Sequence, residues 1–418
     1  MARLAPLRAP RVAYAASAAA LLCALIAVAA LLERPAAAQR QQTTTLISRA
    51  ADGGTPNGPS TNAVISGDRR YARVIAFQSD ATDIVSGDSN QATDVFAIKR
   101  AGSFGNNGST WRPGKAILLS KGLGGEPANG RSFSPAVDGA FDHLAGCVAF
   151  LSAASNLVGG DTNDKVDAFL SRGPGDSLSR VSTPGGSQAT EDTTAVAVSG
   201  DCTKVAFVTG GRLYVRTGSS VKRIDAKGDE SDPSFATGMT NDLVFGANGG
   251  IYMSAGGSRS PKRIVKSGRN PAYNSIKRRV VAYEKGKGGH VQVAFRDLGR
   301  KQRFASRSGR KIGNGDSRDP VIGNSGFYIA FETDASNLGT NAAGQRLDRN
   351  RHRDSYLYSD ARGITLVQSV EEKGVPLPAG GTNPSLSFYA NYILFESAAP
   401  LGRRSGVPQV FMRYLGPV

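Results

Sequence analysis

The sequence predicts an all-β fold: a single seven-bladed β-propeller of four-stranded blades, its ring closed by the N-terminal strand. Three observations predict it. A short apolar strand ending in an aromatic residue recurs seven times. A second strand follows each copy, and the shortest interval between copies, Phe207 to Phe245, is close to the ~40-residue period of a propeller blade. The acids are 25 Asp against 9 Glu, beside 51 Gly, a balance that favours turns over helices.

The N-terminus comes first. Arg3, Arg8 and Arg11 precede an uncharged Ala/Leu-rich run from Ala13 to Leu32, then Pro35 and Ala36-Ala37-Ala38. This is the layout of a secretory signal peptide over residues 1–38, cleaved after Ala38. The competing reading is an uncleaved anchor, since about 20 apolar residues can just span a bilayer. Pro35 and the weakly apolar alanines favour cleavage, and no small residue precedes Cys23 as a lipoprotein site would require. Residues 39–42 read as a linker and 43–418 as the propeller. The expected protein is exported (periplasm, cell envelope or secreted), monomeric and without a transmembrane segment once cleaved.

The apolar strands of the seven repeats end at Phe77, Phe150, Phe207, Phe245, Tyr283, Phe331 and Phe395. The strands that follow are Asp94–Phe96, Asp167–Phe169, Leu213–Val215, Ile251–Met253, Val291–Val293, Tyr356–Tyr358 and Gln409–Phe411. An outer strand comes next, as in Leu178–Ser182, Val221–Ile224 and Pro261–Ile264. Pro/Ser/Asn-rich segments such as Ser134–Gly139 and Asp232–Phe235 come before each aromatic strand. Thr45–Arg49 matches an outer strand but precedes the first complete set, and the last repeat lacks one, so the N-terminal segment should complete the last blade and hide two sheet edges.

Phe77-Gln78-Ser79-Asp80 followed by Gly87–Phe96, and Leu151–Asn163, resemble the TolB-type propeller repeats of exported bacterial proteins. The resemblance covers roughly residues 43–416 and is clearest in the first, second and sixth units. It departs from the usual pattern where the Ser-Pro-Asp-Gly turn is degraded, as at Ser66-Gly67-Asp68-Arg69, and where the fourth and fifth units lack the long insertion. What the resemblance implies is a propeller that binds a protein or a ligand. It does not imply catalysis, because such repeats serve both roles.

One spacing recurs within the repeats: Asp88, Asn90 and Asp94; Asp161, Asn163 and Asp167; Asp348, Asn350 and Asp354. Oxygens converging from a short loop suit a hard cation such as Ca²⁺. The Gly and the terminal Glu of an EF-hand loop are missing, so Asx-turns followed by a strand cap explain the same residues. Arg349, Arg351 and Arg353 speak against a cation in the third loop. Two cysteines outlast signal cleavage, Cys147 and Cys202. Export permits a disulfide. Both cysteines sit just before matching strands of neighbouring repeats, in registers that differ by two residues, so a pair and two half-buried thiols both stand open.

Charge is uneven. Val221–Lys311 holds 20 Lys+Arg against 7 Asp+Glu, whereas Thr43–Gly175 holds 12 against 12. Arg180, Arg223, Arg263 and Arg303 are expected to share one column of the outer strands, with Lys222, Lys262, Arg278 and Arg279 beside them. A basic rim would attract an anionic envelope polymer or an acidic protein. Edge protection by Lys and Arg is the plainer reading, though it does not explain so large an excess. Nucleic acid does not fit an exported chain with few aromatics in its basic sector.

Candidates for catalysis are few. His143, His290 and His352 fall in no zinc spacing, and no Gly-x-Ser-x-Gly elbow or phosphate loop occurs. Glu284, Glu332 and Glu396 each follow a repeat aromatic, which matches the polar side of an alternating strand as readily as a carboxylate pair. The function expected is therefore a non-catalytic binding or scaffolding module, the alternative an extracellular hydrolase or lyase working in the propeller channel.

Overall fold

The structure is a computed structural model that describes residues 43–68, 71–101, 111–140, 144–173, 175–237, 240–257, 260–276, 278–323, 326–339, 348, 350–371, 375–399 and 406–416. The expected signal peptide (1–38), the linker (39–42), His143 and Arg349 lie outside the described residues.

Seven antiparallel four-stranded sheets follow one another along the chain. From the inner strand outward, blade 1 is Ser60–Ile65, Val74–Ser79, Asp94–Arg100 and Pro113–Leu118. Blade 2 is Ser132–Val137, Val148–Ser152, Asp167–Ser171 and Leu178–Arg180, and blade 3 is Thr193–Val198, Lys204–Thr209, Arg212–Thr217 and Ser220–Ile224. Blade 4 is Ser231–Phe235, Leu243–Ala247, Gly250–Ser254 and Lys262–Val265, and blade 5 is Arg269–Asn274, Val280–Lys287, His290–Asp297 and Arg303–Phe304. Blade 6 is Ser317–Ile322, Tyr328–Thr333, Asp354–Ser359 and Ile364–Val367. Blade 7 takes Thr382–Leu386, Tyr392–Ser397 and Gln409–Tyr414 from the C-terminal end and Thr44–Leu46 from the N-terminal end. Thr44 faces Arg413 and Leu46 faces Phe411, so the ring closes by the expected exchange of strands. The inner strands touch in sequence around the ring and back to the first, which makes the seven sheets one propeller. Among the described residues no helix is long and apolar enough to cross a membrane.

The core lies between blades. Each second strand is almost wholly buried, as in Val-Ala-Phe-Leu-Ser of Val148–Ser152, because both of its faces meet neighbouring sheets. In six blades the aromatic of the second strand faces that of the third, with ring centroids 5.4–6.1 Å apart, from Phe207–Tyr214 to Phe331–Tyr356. Blade 5 is offset by one residue: Tyr283 faces Ala294, and Phe295 turns to Tyr358 of blade 6 at 5.5 Å.

The inner strands carry a second regularity that sequence patterning does not show. Each is interrupted by a bulge, and in six the bulge residue is non-glycine with positive φ: Asn62, Ser134, Asp232, Asn270, Asp319 and Asn383. Asn and Asp tolerate that conformation better than other side chains do, which accounts for five of the six.

Candidate functional site: the aspartate loops, the basic sector and the channel acids

The first residue of the third strand anchors each Asp-x-Asn-x-x-x-Asp loop. Ser120 Oγ donates to Asp94 Oδ1 at 2.5 Å and accepts from Val95 N at 3.0 Å. Ser182 does the same for Asp167 and Ala168 N, and Ser369 for Asp354 and Ser355 N. Blades 5 and 7 use Gln in place of Asp, with Ser306 donating to Gln292 and Ser48 to Gln409. The loop asparagines carry the link onward: Asn90 donates to Ala128 O, Asn163 to Ala189 O and Asn350 to Leu377 O, each acceptor lying just ahead of the next blade. The Gln amides make the same connection, to Gly313 O, Gly315 O and Gly58 O. Short Asx-turns are present too, with Ala92 N donating to Asn90 and His352 N to Asn350. The fourth residue of each loop (Gln91, Asp164, Arg351) has φ between +54° and +63°, so the three loops share one turn.

Gln is neutral and Asp is charged, so the three Asp blades hold buried carboxylates that the Gln blades do not. Burial pushes the Asp94 carboxyl up to about 6, with Ser120 and Asn90 opposing the rise and Asp88 adding to it. Burial pushes Asp354 up to about 7, opposed by Ser369 and Asn350 and reinforced by Asp348. Asp88 is also raised, chiefly by burial. In blade 2 the Arg180 guanidinium lies 2.7 Å from Asp161 and 3.6 Å from Asp167. Burial still raises Asp161, but Arg180 opposes it.

Arg180 sits opposite Phe169, Arg223 opposite Tyr214 and Arg263 opposite Tyr252, so these three share the expected column, on the face toward the preceding blade. Arg303 does not. The one-residue offset of blade 5 puts Phe304 in the column and Arg303 on the opposite face, where its guanidinium lies 4.5 Å from the Phe295 ring centre and meets Asp360 at 2.5 Å. Arg278 joins the same group, 2.6 Å from Asp297 and 2.7 Å from Asp360. Burial alone would raise Asp360, but hydrogen bonds from Arg278 and Arg303 hold it below the usual carboxylate range. Arg180, Arg278 and Arg303 are therefore committed to internal pairs.

The other members of the basic set face solvent. Lys222, Arg223, Lys262, Arg263 and Arg279 are exposed. Arg223 reaches Asp225 at 3.4 Å, Arg263 donates to Lys266 O and Asn248 O and lies over Tyr252, and Arg279 donates to Tyr273 Oη. Neutral acceptors satisfy the guanidinium donors of Arg263 and Arg279 without cancelling their charge.

Carboxylates do gather on the inner side of blades 5–7, and their bonds show what they do. Glu284 accepts from Asn270 and from Asp319 N, Glu332 from Asn383 N and Arg353, and Glu396 from Ala63 N and Asn383. Each Glu thus caps the bulge of the next inner strand; Gln78 does the same for Ser134 N. Burial raises Asp319 to about 6, with Glu332 and Glu284 adding to it, and raises Glu396 to about 7. Of the described histidines, His290 pairs with Asp316 at 3.4 Å and His352 is exposed. Two clefts, of about 380 and 550 Å³, lie between blades 1 and 2, and neither is lined by these acids.

Cys147 and Cys202 form a disulfide, with Cα atoms 6.1 Å apart, and so tie blade 2 to the first turn of blade 3. The two-residue difference in register is absorbed by Cys202, which sits in a turn at φ +58° rather than on the strand.

No family model matches the chain, and no curated protein matches it. Solved structures do. TolB from Acinetobacter baumannii is similar at 16% identity and a TM-score of 0.39, over 64% of this chain and 63% of that one, so the match spans under two thirds of that TolB. The β-propeller domain of the Trilobed protease from Pyrococcus furiosus is similar at 9% identity and a TM-score of 0.49, over 85% and 93% of the two chains. A putative TolB from Agrobacterium tumefaciens is similar at 13% identity and a TM-score of 0.35, over 58% and 94%. Each likeness is one of fold, and the fold of this chain is a seven-bladed β-propeller.

Proposed function

We propose that this chain is an exported, non-catalytic binding propeller that engages an anionic envelope polymer through the outer strands of blades 3 and 4. The observation that carries the reading is the exposure of Lys222, Arg223, Lys262 and Arg263 on two neighbouring outer strands, where few carboxylates offset them. Cations in excess on one sector attract a polyanion over a Debye length, and the attraction weakens with salt. Edge protection alone would be served by scattered charges. The cations of blades 1 and 2 balance their acids in number, so the excess in one sector favours a ligand. An acidic protein surface would use the same cations.

The channel-enzyme reading draws on the acids of blades 5–7, and it is the weaker one. Glu284, Glu332 and Glu396 already accept hydrogen bonds from main-chain or amide donors of the next inner strand, which is a bracing role. Binding of the mature protein to inorganic polyphosphate, followed by fluorescence anisotropy, tests the proposal. Tight binding at low salt that is lost on reversing Lys222, Arg223, Lys262 and Arg263 to Glu supports it. Affinity unchanged by that variant rejects it.

A further inference from the structure

Blades 1, 2 and 6 carry the same loop, the same Ser clip and the same buried Asp at the head of the third strand. They differ in the outer-strand residue that faces the loop. The residue opposite the third-strand aromatic is Arg180 in blade 2, Leu118 in blade 1 and Val367 in blade 6. In blade 2 the Arg180 guanidinium enters the loop and bridges Asp161 and Asp167. Leu118 and Val367 can donate nothing there.

The consequence is visible in individual oxygens. Asp94 Oδ2, Asp88 Oδ1 and Asp354 Oδ2 are buried and have no hydrogen-bond partner, although Asp94 and Asp354 are fully buried and Asp88 is 8% exposed. Buried polar atoms are seldom left unpaired, and an ionised carboxylate least of all. In blade 2 the corresponding Asp167 Oδ2 accepts from Asn163 and faces Arg180. Among the three loops the orphaned carboxylate oxygens thus occur in the blades that lack the arginine; in blade 2 the atoms left unpaired are an amide oxygen, Asn163 Oδ1, and Arg180 Nε.

We infer that blades 1 and 6 each hold a hard divalent cation of the Ca²⁺ kind, between Asp88 and Asp94 and between Asp348 and Asp354, and that Arg180 supplies the equivalent positive charge in blade 2. Two carboxylates in a short loop suit a hard cation, whose shell of six to eight oxygens is completed by main chain and water. The two described arginines of the sixth loop do not oppose it: Arg353 is drawn away to Glu332 and Asp334, at 2.8 Å each, and Arg351 is exposed. This inference is independent of polyanion binding by the basic strands.

Isothermal calorimetry of the chelator-treated mature protein with CaCl₂ tests it, alongside thermal melts with CaCl₂ and with EDTA. The expected result is two equivalents bound and a melting temperature that rises with Ca²⁺ and falls back on chelation. Asp94→Asn and Asp354→Asn should each remove one equivalent. Arg180→Leu should raise the count from two to three, because it gives blade 2 the side chain that blade 1 has. No heat of binding and no change in melting temperature would overturn the inference, and would mean that protonation of one carboxyl in each pair suffices. Binding that survives both Asp→Asn substitutions would also overturn it. If Arg180→Leu fails to fold, the wild type and the two Asp→Asn variants still decide the matter.

Discussion

The Arg180 guanidinium lies 2.7 Å from the Asp161 carboxylate, and the side chain is 12% exposed. A rim position thereby becomes an internal counter-ion. Removing one partner of such a pair leaves buried charge uncompensated, at about 3 kcal/mol. Arg180→Leu in EDTA-containing buffer should lower the unfolding free energy by about that amount in urea titrations, with the slope unchanged. Arg223→Leu removes an exposed, singly paired cation and should change it by under about 0.5 kcal/mol.

Ring closure depends on few residues. Ser48 donates to Gln409 Oε1 at 2.8 Å and accepts from Val410 N at 3.0 Å, so the N-terminal segment clips the last blade as the other Ser residues clip theirs. Ser48→Ala leaves two buried polar groups short of a partner and should cost about 2 kcal/mol by denaturant titration. Starting the chain at residue 51 removes the whole strand and should cost more. Equal melting curves for the truncated and intact proteins would count against closure by the N-terminal strand.

The Cys147–Cys202 bridge closes a segment with a sequence separation of 55. Loop entropy assigns about 4 kcal/mol to a crosslink of that span. Cys147→Ser with Cys202→Ser should destabilise by somewhat less, given the residual structure of denatured chains. Free-thiol titration of the unfolded wild type should find no accessible thiol from this pair.

Stability should fall as pH rises through weak acid, in part because of Glu396. Burial raises its folded-state pKa to about 7 from an ordinary 4.5, against hydrogen bonds from Asn383 and Ala63 N and with Glu332 adding to the rise. A raised carboxyl binds its proton more tightly in the folded state, so its contribution is full below about pH 4.5 and is lost as pH rises to about 7. Glu396→Gln should flatten the unfolding free energy across that window. An unchanged slope in the variant would show that Glu396 does not set it.

The seven aromatic strands and the strand exchange at the termini are legible in the sequence because both rest on local alternation and on one missing outer strand. The aspartate loops are legible as a spacing. Their difference is not, because it depends on which outer-strand residue falls opposite Phe96, Phe169 or Tyr356, and such register is a cross-strand property. Arg303 departs from the expected column for the same reason: the offset in blade 5 shows only when Tyr283 is paired with Ala294. The inner-strand bulges are not legible in the sequence, since five of them fall on Asn or Asp rather than Gly, and Asn or Asp in a turn-rich chain marks nothing by itself.

The salt dependence of polyphosphate binding tests the functional proposal most directly. If Lys222, Arg223, Lys262 and Arg263 form the contact, log Kd should rise linearly with log salt, and reversing the four to Glu should cut that slope by roughly three. A slope near zero in the wild type, or the same slope in the variant, would contradict it.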